Sequence, residues 1–167
     1  MTANLLSHVS DKAIKNLIKS KTMKIEIINK DFKMDIFGLE GTVINKDYAG
    51  TAFKLSGKMW AVIKAMGLKN KGKNIWVYEN EEKVFTGVEL DNIPSKDIEL
   101  EHKIISLNKY AFYKHIGSYN LIKQAGLDMR SELKSKGYET DLPYIEIYGH
   151  WTNDETKLET ELFMCLK

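Results

Sequence analysis

Two short stretches, Ile75-Trp76-Val77-Tyr78 and Ile145-Glu146-Ile147-Tyr148, share one pattern and decide how the chain folds. In each stretch, β-branched residues alternate with an aromatic or charged residue, and an alternation of period two predicts a strand. Because neighbouring strand residues point to opposite faces of a sheet, the four branched residues are expected on one face. The other face then carries Trp76, Tyr78, Glu146 and Tyr148, an aromatic surface with one carboxylate.

The two stretches belong to a longer repeat that begins at residue 23. The first half is predicted to contain strands around 23–30 and 32–39, a helix around 51–66, and strands at 74–79 and 83–90. The second half is predicted to contain strands around 99–106 and 109–116, a helix at 119–136, and strands at 143–149 and 157–166. Residues 91–97 include Pro94 and several Asp and Asn residues, which is typical of a linker. The sequence therefore predicts an α+β fold of duplicated strand–helix–strand–strand units, with pseudo-twofold symmetry and an antiparallel sheet.

Each predicted helix has an apolar stripe that packs against a sheet. The stripes contain Leu55, Met59, Ile63 and Met66 in the first helix, and Ile122, Ala125, Met129 and Leu133 in the second. We expect both helices to cover the face of the branched residues, so that the aromatic face is left as a ligand cleft. Gly41 precedes Trp76 by 35 residues, whereas Gly117 precedes Glu146 by 29. The lysine-rich loop before Asn74 is the expected place for the additional residues.

Composition limits the function classes. A chain of 167 residues is most simply one domain, and a net charge of +2 gives no support for nucleic-acid binding. The single cysteine, Cys165, cannot form an internal disulfide, which favours a cytoplasmic protein. No apolar run is long enough to span a membrane.

Residues 4–20 have Leu6, Val9, Ala13 and Leu17 at three-to-four spacing, which predicts an amphipathic helix. We therefore divide the chain into an N-terminal helical extension, 1–22, and a domain, 23–167. The pattern leaves three roles open for the extension: it caps the domain, it forms a homodimer or binds a partner protein, or it remains from an upstream module.

Glu146 is the sharpest functional residue in the sequence. Its neighbours on the same face are Tyr144 and Tyr148, and a carboxylate among aromatic rings loses hydration, so we expect its pKa to rise. Such a group binds a cation, acts as a general base or nucleophile, or donates a proton. A hydrated surface glutamate is the alternative.

The remaining site residues are aromatic. Trp76, Tyr78, Tyr144 and Tyr148 are predicted as pocket walls, Trp60 as a residue at the rim and Trp151 as one that closes the pocket mouth, with plain packing as the alternative for each. Tyr113 is a further wall residue and a proton donor if the protein is an enzyme. The four histidines show no metal-ligand spacing, and His115 is interpreted as a structural residue with its hydrogen bonds made. We expect no metal and no cofactor.

Four motifs in the second half resemble one known family. They are Tyr110-Ala111-Phe112-Tyr113-Lys114-His115-Ile116-Gly117-Ser118-Tyr119, Lys136-Gly137-Tyr138, Pro143-Tyr144-Ile145-Glu146-Ile147-Tyr148 and Thr160-Glu161-Leu162. Their order is similar to that of the GyrI-like family, also known as AraC-type or bacterial transcription-activator effector-binding domains. The resemblance implies a ligand cleft between two related units, with Glu146 at the position of the family's pocket glutamate.

The resemblance also implies two kinds of activity. In members that act as multidrug sensors, the glutamate meets lipophilic cations between aromatic walls. In members that resemble hydrolases, a matching glutamate with tyrosine and tryptophan opens cyclopropane-bearing compounds with water. No helix-turn-helix precedes the domain in this sequence, so direct nucleic-acid binding by this chain is not expected.

Three hypotheses follow from the sequence, in order of preference. The first is a stand-alone domain that binds lipophilic compounds, including cations, through the aromatic pocket and Glu146. The second is a hydrolase in which Glu146 is the base or nucleophile and Tyr148 or Tyr113 the proton donor. The third is a protein-interaction module that either inhibits a larger enzyme or forms a homodimer through residues 4–20.

Overall fold

The computed structural model describes residues 23–80 and 82–167. The predicted extension at 1–22, including the helix at 4–20, lies outside the described residues. Within the described part, no helix is both long enough and apolar enough to cross a membrane.

The described elements confirm every predicted strand and helix from residue 23 onward. They are β1 (Glu26–Ile28), β2 (Phe32–Thr42), α1 (Tyr48–Ala65), β3 (Asn74–Asn80), β4 (Lys83–Val88), β5 (Glu101–Leu107), β6 (Tyr110–Ile116), α2 (Ile122–Ser135), β7 (Thr140–Tyr148) and β8 (Glu159–Leu166). A short 3-10 turn, Tyr119–Leu121, leads into α2. The Asp47 side chain caps α1 by accepting a hydrogen bond from the Gly50 amide at 3.0 Å.

The strands described form one antiparallel sheet in the order β1-β6-β8-β7-β3-β4-β2-β5. From one edge to the centre the strands are β1, β6, β8 and β7. From the other edge to the centre they are β5, β2, β4 and β3. The edge strand β1 of the first half pairs with β6 of the second half, and the edge strand β5 of the second half pairs with β2 of the first. The two halves meet between β3 and β7. Trp76 lies directly opposite Glu146 at this junction. The α+β class and the pseudo-twofold arrangement are confirmed.

Burial fixes how the two halves align. The buried residues Met59 and Ile75 of the first half correspond to Met129 and Ile145 of the second, each 70 positions later. Helix and central strand are thus spaced equally in both halves. The additional residues of the first half lie ahead of its helix, in the segment 43–47, and their predicted place in the lysine-rich loop is wrong.

The prediction of which face the helices cover is also wrong. Ile75, Val77, Ile145 and Ile147 are buried in a cluster of strand residues only. The sheet curves so strongly that the ring of Phe32 in β2 lies 5.0 Å from that of Phe163 in β8, although β4, β3 and β7 separate these strands. This face therefore buries its apolar side chains against itself.

Both helices pack on the opposite face. Met129 and Leu133 of α2 pack with Leu162 and Met164, and Tyr144 and Tyr148 lie against the same cluster. In the first half, Met59 and Ile63 of α1 pack with Phe37 and Val88. Trp76 and Glu146 therefore share the helix-covered face. The aromatic residues that were predicted to line a cleft therefore project towards the helices and not from a helix-free side.

Candidate ligand-binding site

The site is centred on β3 and β7, the pair of strands at which the two halves meet. α1 contacts β2 and β4, and α2 contacts β6 and β7. Side chains that project from the central pair towards the helices therefore reach the space between α1 and α2. The strand register places Trp76 and Glu146 in the middle of this space, with Tyr78 opposite Tyr144 on one side and Asn74 opposite Tyr148 on the other.

Glu146 is a buried carboxylate, 6% exposed. Its Oε2 accepts hydrogen bonds from the hydroxyl of Tyr148 at 2.7 Å and from that of Tyr78 at 3.1 Å. Burial raises the pKa of this carboxyl above its ordinary value, against the opposing effect of the tyrosine hydroxyls. The Tyr144 hydroxyl is near enough to take part in this effect but makes no hydrogen bond of good geometry.

No cation balances this carboxylate within the described residues. The ion pairs of residues 23–80 and 82–167 involve other carboxylates. A buried carboxyl that is held only by phenols ionises at the cost of its lost hydration, a cost that a nearby cation would offset. The expectation of a hydrated surface glutamate does not describe this environment.

The tyrosines around Glu146 are neutral hydrogen-bond donors. Burial, followed by the negative charge of Glu146, raises the pKa of Tyr78, Tyr144 and Tyr148 far above the ordinary value of a phenol. Their protons therefore stay on the hydroxyls at physiological pH, where they stabilise the carboxylate.

Aromatic rings close over the carboxylate. Trp76 contacts Tyr148 with ring centroids 4.8 Å apart, and Tyr78 stacks on Tyr144 at 5.5 Å. Two cavities, of about 370 and 270 Å³, lie beside the C-terminal half of α1 and beyond its end, and neither reaches Glu146.

The two indoles are anchored by residues that the sequence reasoning missed. Trp76 Nε1 donates to Ser56 Oγ at 2.9 Å, and Trp60 Nε1 donates to Asn74 Oδ1 at 2.7 Å. Ser56 faces the sheet one turn before Trp60, on the helical stripe itself. The available signal in the sequence was the helical spacing that places Ser56 on the apolar stripe with Met59 and Ile63.

Two more aromatic residues were missed, one at the start of each helical segment. Tyr48 contacts Tyr78 edge-on at 6.0 Å, and Tyr119 contacts Tyr148 edge-on at 5.3 Å. Tyr78 and Tyr148 lie 70 positions apart and are equivalent in the two halves. Tyr48 and Tyr119 lie 71 positions apart, so the two contacts are similar without occupying equivalent positions.

Two predicted site residues lie away from the carboxylate. Trp151 is 72% exposed in the loop after β7 and is not among the stacked rings. Tyr113 shares the helix-covered face, because it lies opposite Leu162, which in turn lies opposite Glu146. It makes no hydrogen bond to the carboxylate. Across residues 23–80 and 82–167, no group of His, Cys, Asp and Glu is arranged to hold a metal ion.

Comparison with known proteins gives a family and a fold. The family model described as GyrI-like small molecule binding domain matches residues 23–167. The C-terminal domain of EcmrR is 15% identical, with a TM-score of 0.68 over 87% of this chain and 99% of that one. A hydrolase from Listeria innocua is 13% identical, with a TM-score of 0.53 over 93% and 98% of the two chains.

A third solved structure is that of SAV2435 bound to tetraphenylphosphonium. It is 17% identical, with a TM-score of 0.51 over 87% of this chain and 93% of that one. No curated protein matches the sequence. At these identities the structural likenesses show a shared fold.

Proposed function

This chain belongs to the family of GyrI-like small molecule binding domains, and from this premise we propose that it binds lipophilic organic cations between α1 and α2, over Glu146. The observation that carries the proposal is the buried carboxylate, which has two phenol donors and no cationic partner within the described residues. A ligand that brings its own positive charge completes the ion pair that the protein leaves open.

The surrounding rings suit the rest of such a ligand. Trp76, Tyr78, Tyr144 and Tyr148 present aromatic faces, which attract a cation and bury its hydrophobic substituents. The hydroxyls of Tyr78 and Tyr148 both donate to Oε2 of the carboxylate. The likeness to SAV2435, which was solved with tetraphenylphosphonium, supports a large aromatic cation as the first probe.

The test is a titration of the full chain with tetraphenylphosphonium, followed through tryptophan fluorescence. Triphenylphosphine oxide, which is aromatic but uncharged, is the comparison compound. We expect saturable binding of the cation, weakened at least tenfold in Glu146→Gln, because a charge-assisted contact contributes about 1.5–3 kcal/mol. Binding of the oxide should change little with the same substitution.

A matched control is Glu161→Gln. Glu161 lies on the neighbouring strand β8, where it faces Lys114 at 4.0 Å, and it is away from the rings. Its substitution should leave the affinity unchanged. Absence of saturable binding, or equal losses for Glu146→Gln and Glu161→Gln, would remove the basis of this proposal.

A hydrolase is the second function that the site supports. Burial raises the pKa of Glu146 above that of an ordinary carboxyl, which favours proton exchange by this group, and the Tyr148 hydroxyl lies 2.7 Å from it. In this reading Glu146 takes a proton from the water that opens the cyclopropane of the substrate, or it attacks the ring itself to form an ester that water then hydrolyses. In either case Tyr148 or Tyr113 gives a proton to the carbon released when the ring opens. The likeness to the Listeria innocua hydrolase supports this reading.

Mass analysis after incubation with a cyclopropane-bearing electrophile separates the two functions. A product heavier by one water, formed by the wild type and lost in Glu146→Gln, would establish hydrolysis. Tight binding without any product would leave the binding function alone.

A further inference from the structure

Buried polar atoms without a partner gather on the face that carries the site. In the described part of the chain these atoms are Thr86 Oγ1, His115 Nε2, Tyr144 Oη and Thr160 Oγ1. The register places all of them on the helix-covered side: Thr86 is opposite Trp76, Thr160 is opposite Tyr148, and His115 is opposite Thr160. Most buried polar groups in proteins are hydrogen-bonded, so such a concentration requires an explanation.

Tyr144 is explained by its closeness to Glu146, but His115 and Thr160 are not. They are cross-strand neighbours, 8% and 0% exposed, in one row with Tyr148 across β6, β8 and β7. His115 lies beneath the turn at Gly117, where φ is +142° and a Cβ atom would be only 3.3 Å from Nε2. The sequence prediction of a histidine with its hydrogen bonds made is therefore wrong for this nitrogen.

Tyr148 is the residue that a ligand must displace. Its hydroxyl donates to Glu146, and its ring contacts those of Trp76 and Tyr119. A cation that reaches Glu146 separates Tyr148 from Trp76 and competes for the carboxylate. A buried phenol that loses its acceptor must find another, since an unmet donor is unfavourable in the interior.

We propose that Tyr148 has two positions, with its hydroxyl on Glu146 when the site is empty and on the His115–Thr160 pair when a cation is bound. This inference rests on the proposed function. It makes His115 and Thr160 positioning residues: they touch no ligand but hold the opened ring.

The geometry suits such a movement. Neighbouring strands lie about 4.8 Å apart, so the backbone of His115 is roughly 10 Å from that of Tyr148, with Thr160 between them. A tyrosine and a histidine that lean towards each other bridge this span. In the tautomer that carries its proton on Nδ1, the His115 ring offers Nε2 as an acceptor, and the Thr160 hydroxyl donates or accepts beside it.

Thr160→Val tests the inference, and Thr86→Val is its matched control. Both threonines are fully buried on the same face with an unpaired hydroxyl, but Thr86 lies beside Trp76, whose indole is already bonded to Ser56. Both substitutions should raise the unfolding midpoint of the ligand-free protein. Only Thr160→Val should weaken tetraphenylphosphonium binding, by about five- to tenfold, the loss of one hydrogen bond in the bound state.

His115 gives a second pair of variants. His115→Leu should weaken binding like Thr160→Val, whereas His115→Gln, whose amide stands near the place of Nε2, should retain most of the affinity. Fluorine NMR of 3-fluorotyrosine protein, with the Tyr148 signal assigned through Tyr148→Phe, should show this signal moving to a new position on saturation with the cation.

The outcomes separate the two proposals. If the wild type binds no cation, the proposed function fails and this inference fails with it. If the wild type binds but Thr160→Val keeps the affinity of Thr86→Val, or the Tyr148 signal stays in place, only the inference is overturned.

Discussion

Substitution of Glu146 by glutamine is predicted to stabilise the ligand-free protein above neutral pH. Burial raises the pKa of this carboxyl in the folded state above its ordinary value of 4.5. The folded chain therefore holds the proton more tightly than the unfolded chain does. The resulting stability is fully present below the unfolded pKa and is lost as pH rises through the folded pKa. Glutamine does not titrate, so the variant should keep the stability that the wild type loses.

The size of the effect follows from the contacts. Burial of an ion without a counter-ion costs several kcal/mol. Two charge-assisted hydrogen bonds, from Tyr78 and Tyr148, offset about 1.5–3 kcal/mol each. A remainder of about 1–3 kcal/mol is expected. The glutamine carbonyl can take the place of Oε2 and keep both tyrosine donors.

The assay is urea unfolding of wild type and variant between pH 4 and 9, with thermal melts alongside. At pH 8 the melting temperature of Glu146→Gln should exceed that of the wild type by about 2–4 °C for each kcal/mol, and the difference should vanish at the acid end. Glu161→Gln is the control and should show no such pH-dependent gain. A variant that is less stable than the wild type at pH 8 would refute the reasoning.

Three further predictions concern the rings. Gly126→Ala should lower stability by about 1 kcal/mol in urea unfolding. The added Cβ would lie 2.9 Å from the Tyr144 hydroxyl, and the cost of this close contact should exceed the gain in helix propensity. Ser56→Ala should cost about 1–3 kcal/mol and shift the emission of Trp76, whose indole N–H loses its acceptor; an unchanged unfolding midpoint would contradict this. Trp151→Ala should change stability by less than about 0.5 kcal/mol and leave cation affinity unchanged, since the ring is 72% exposed; a weakened affinity would return Trp151 to the site.

The order of elements could be predicted from the sequence because local patterns carry it. Alternation at Ile75–Tyr78 and Ile145–Tyr148, and stripes at helical spacing, identified the strands and helices without reference to tertiary contacts. The same alternation correctly separated Ile75 and Val77 from Trp76 and Tyr78. Which residues of a strand share a face is set by the local backbone, so it does not depend on tertiary contacts.

Which face the helices cover could not be predicted, because both faces of the central strands are buried. The apolar face is closed by curvature of the sheet, through contacts such as Phe32 with Phe163, and these join residues more than 130 positions apart. No local pattern reports that curvature. The indole partners Ser56 and Asn74 were missed for a related reason, since a single hydrogen bond between distant elements has no periodic signature.

The meeting point of the two halves limits how alike they can be. Residues away from the pseudo-twofold axis can be identical in both halves. At the axis, between β3 and β7, a residue lies opposite its own counterpart in the other half, as Trp76 lies opposite Glu146. Two glutamates there would place like charges on adjacent strands, where one would have to remain protonated. A duplicated gene can therefore keep one acid at this point only by letting the copies diverge, and tryptophan opposite glutamate is such a divergence.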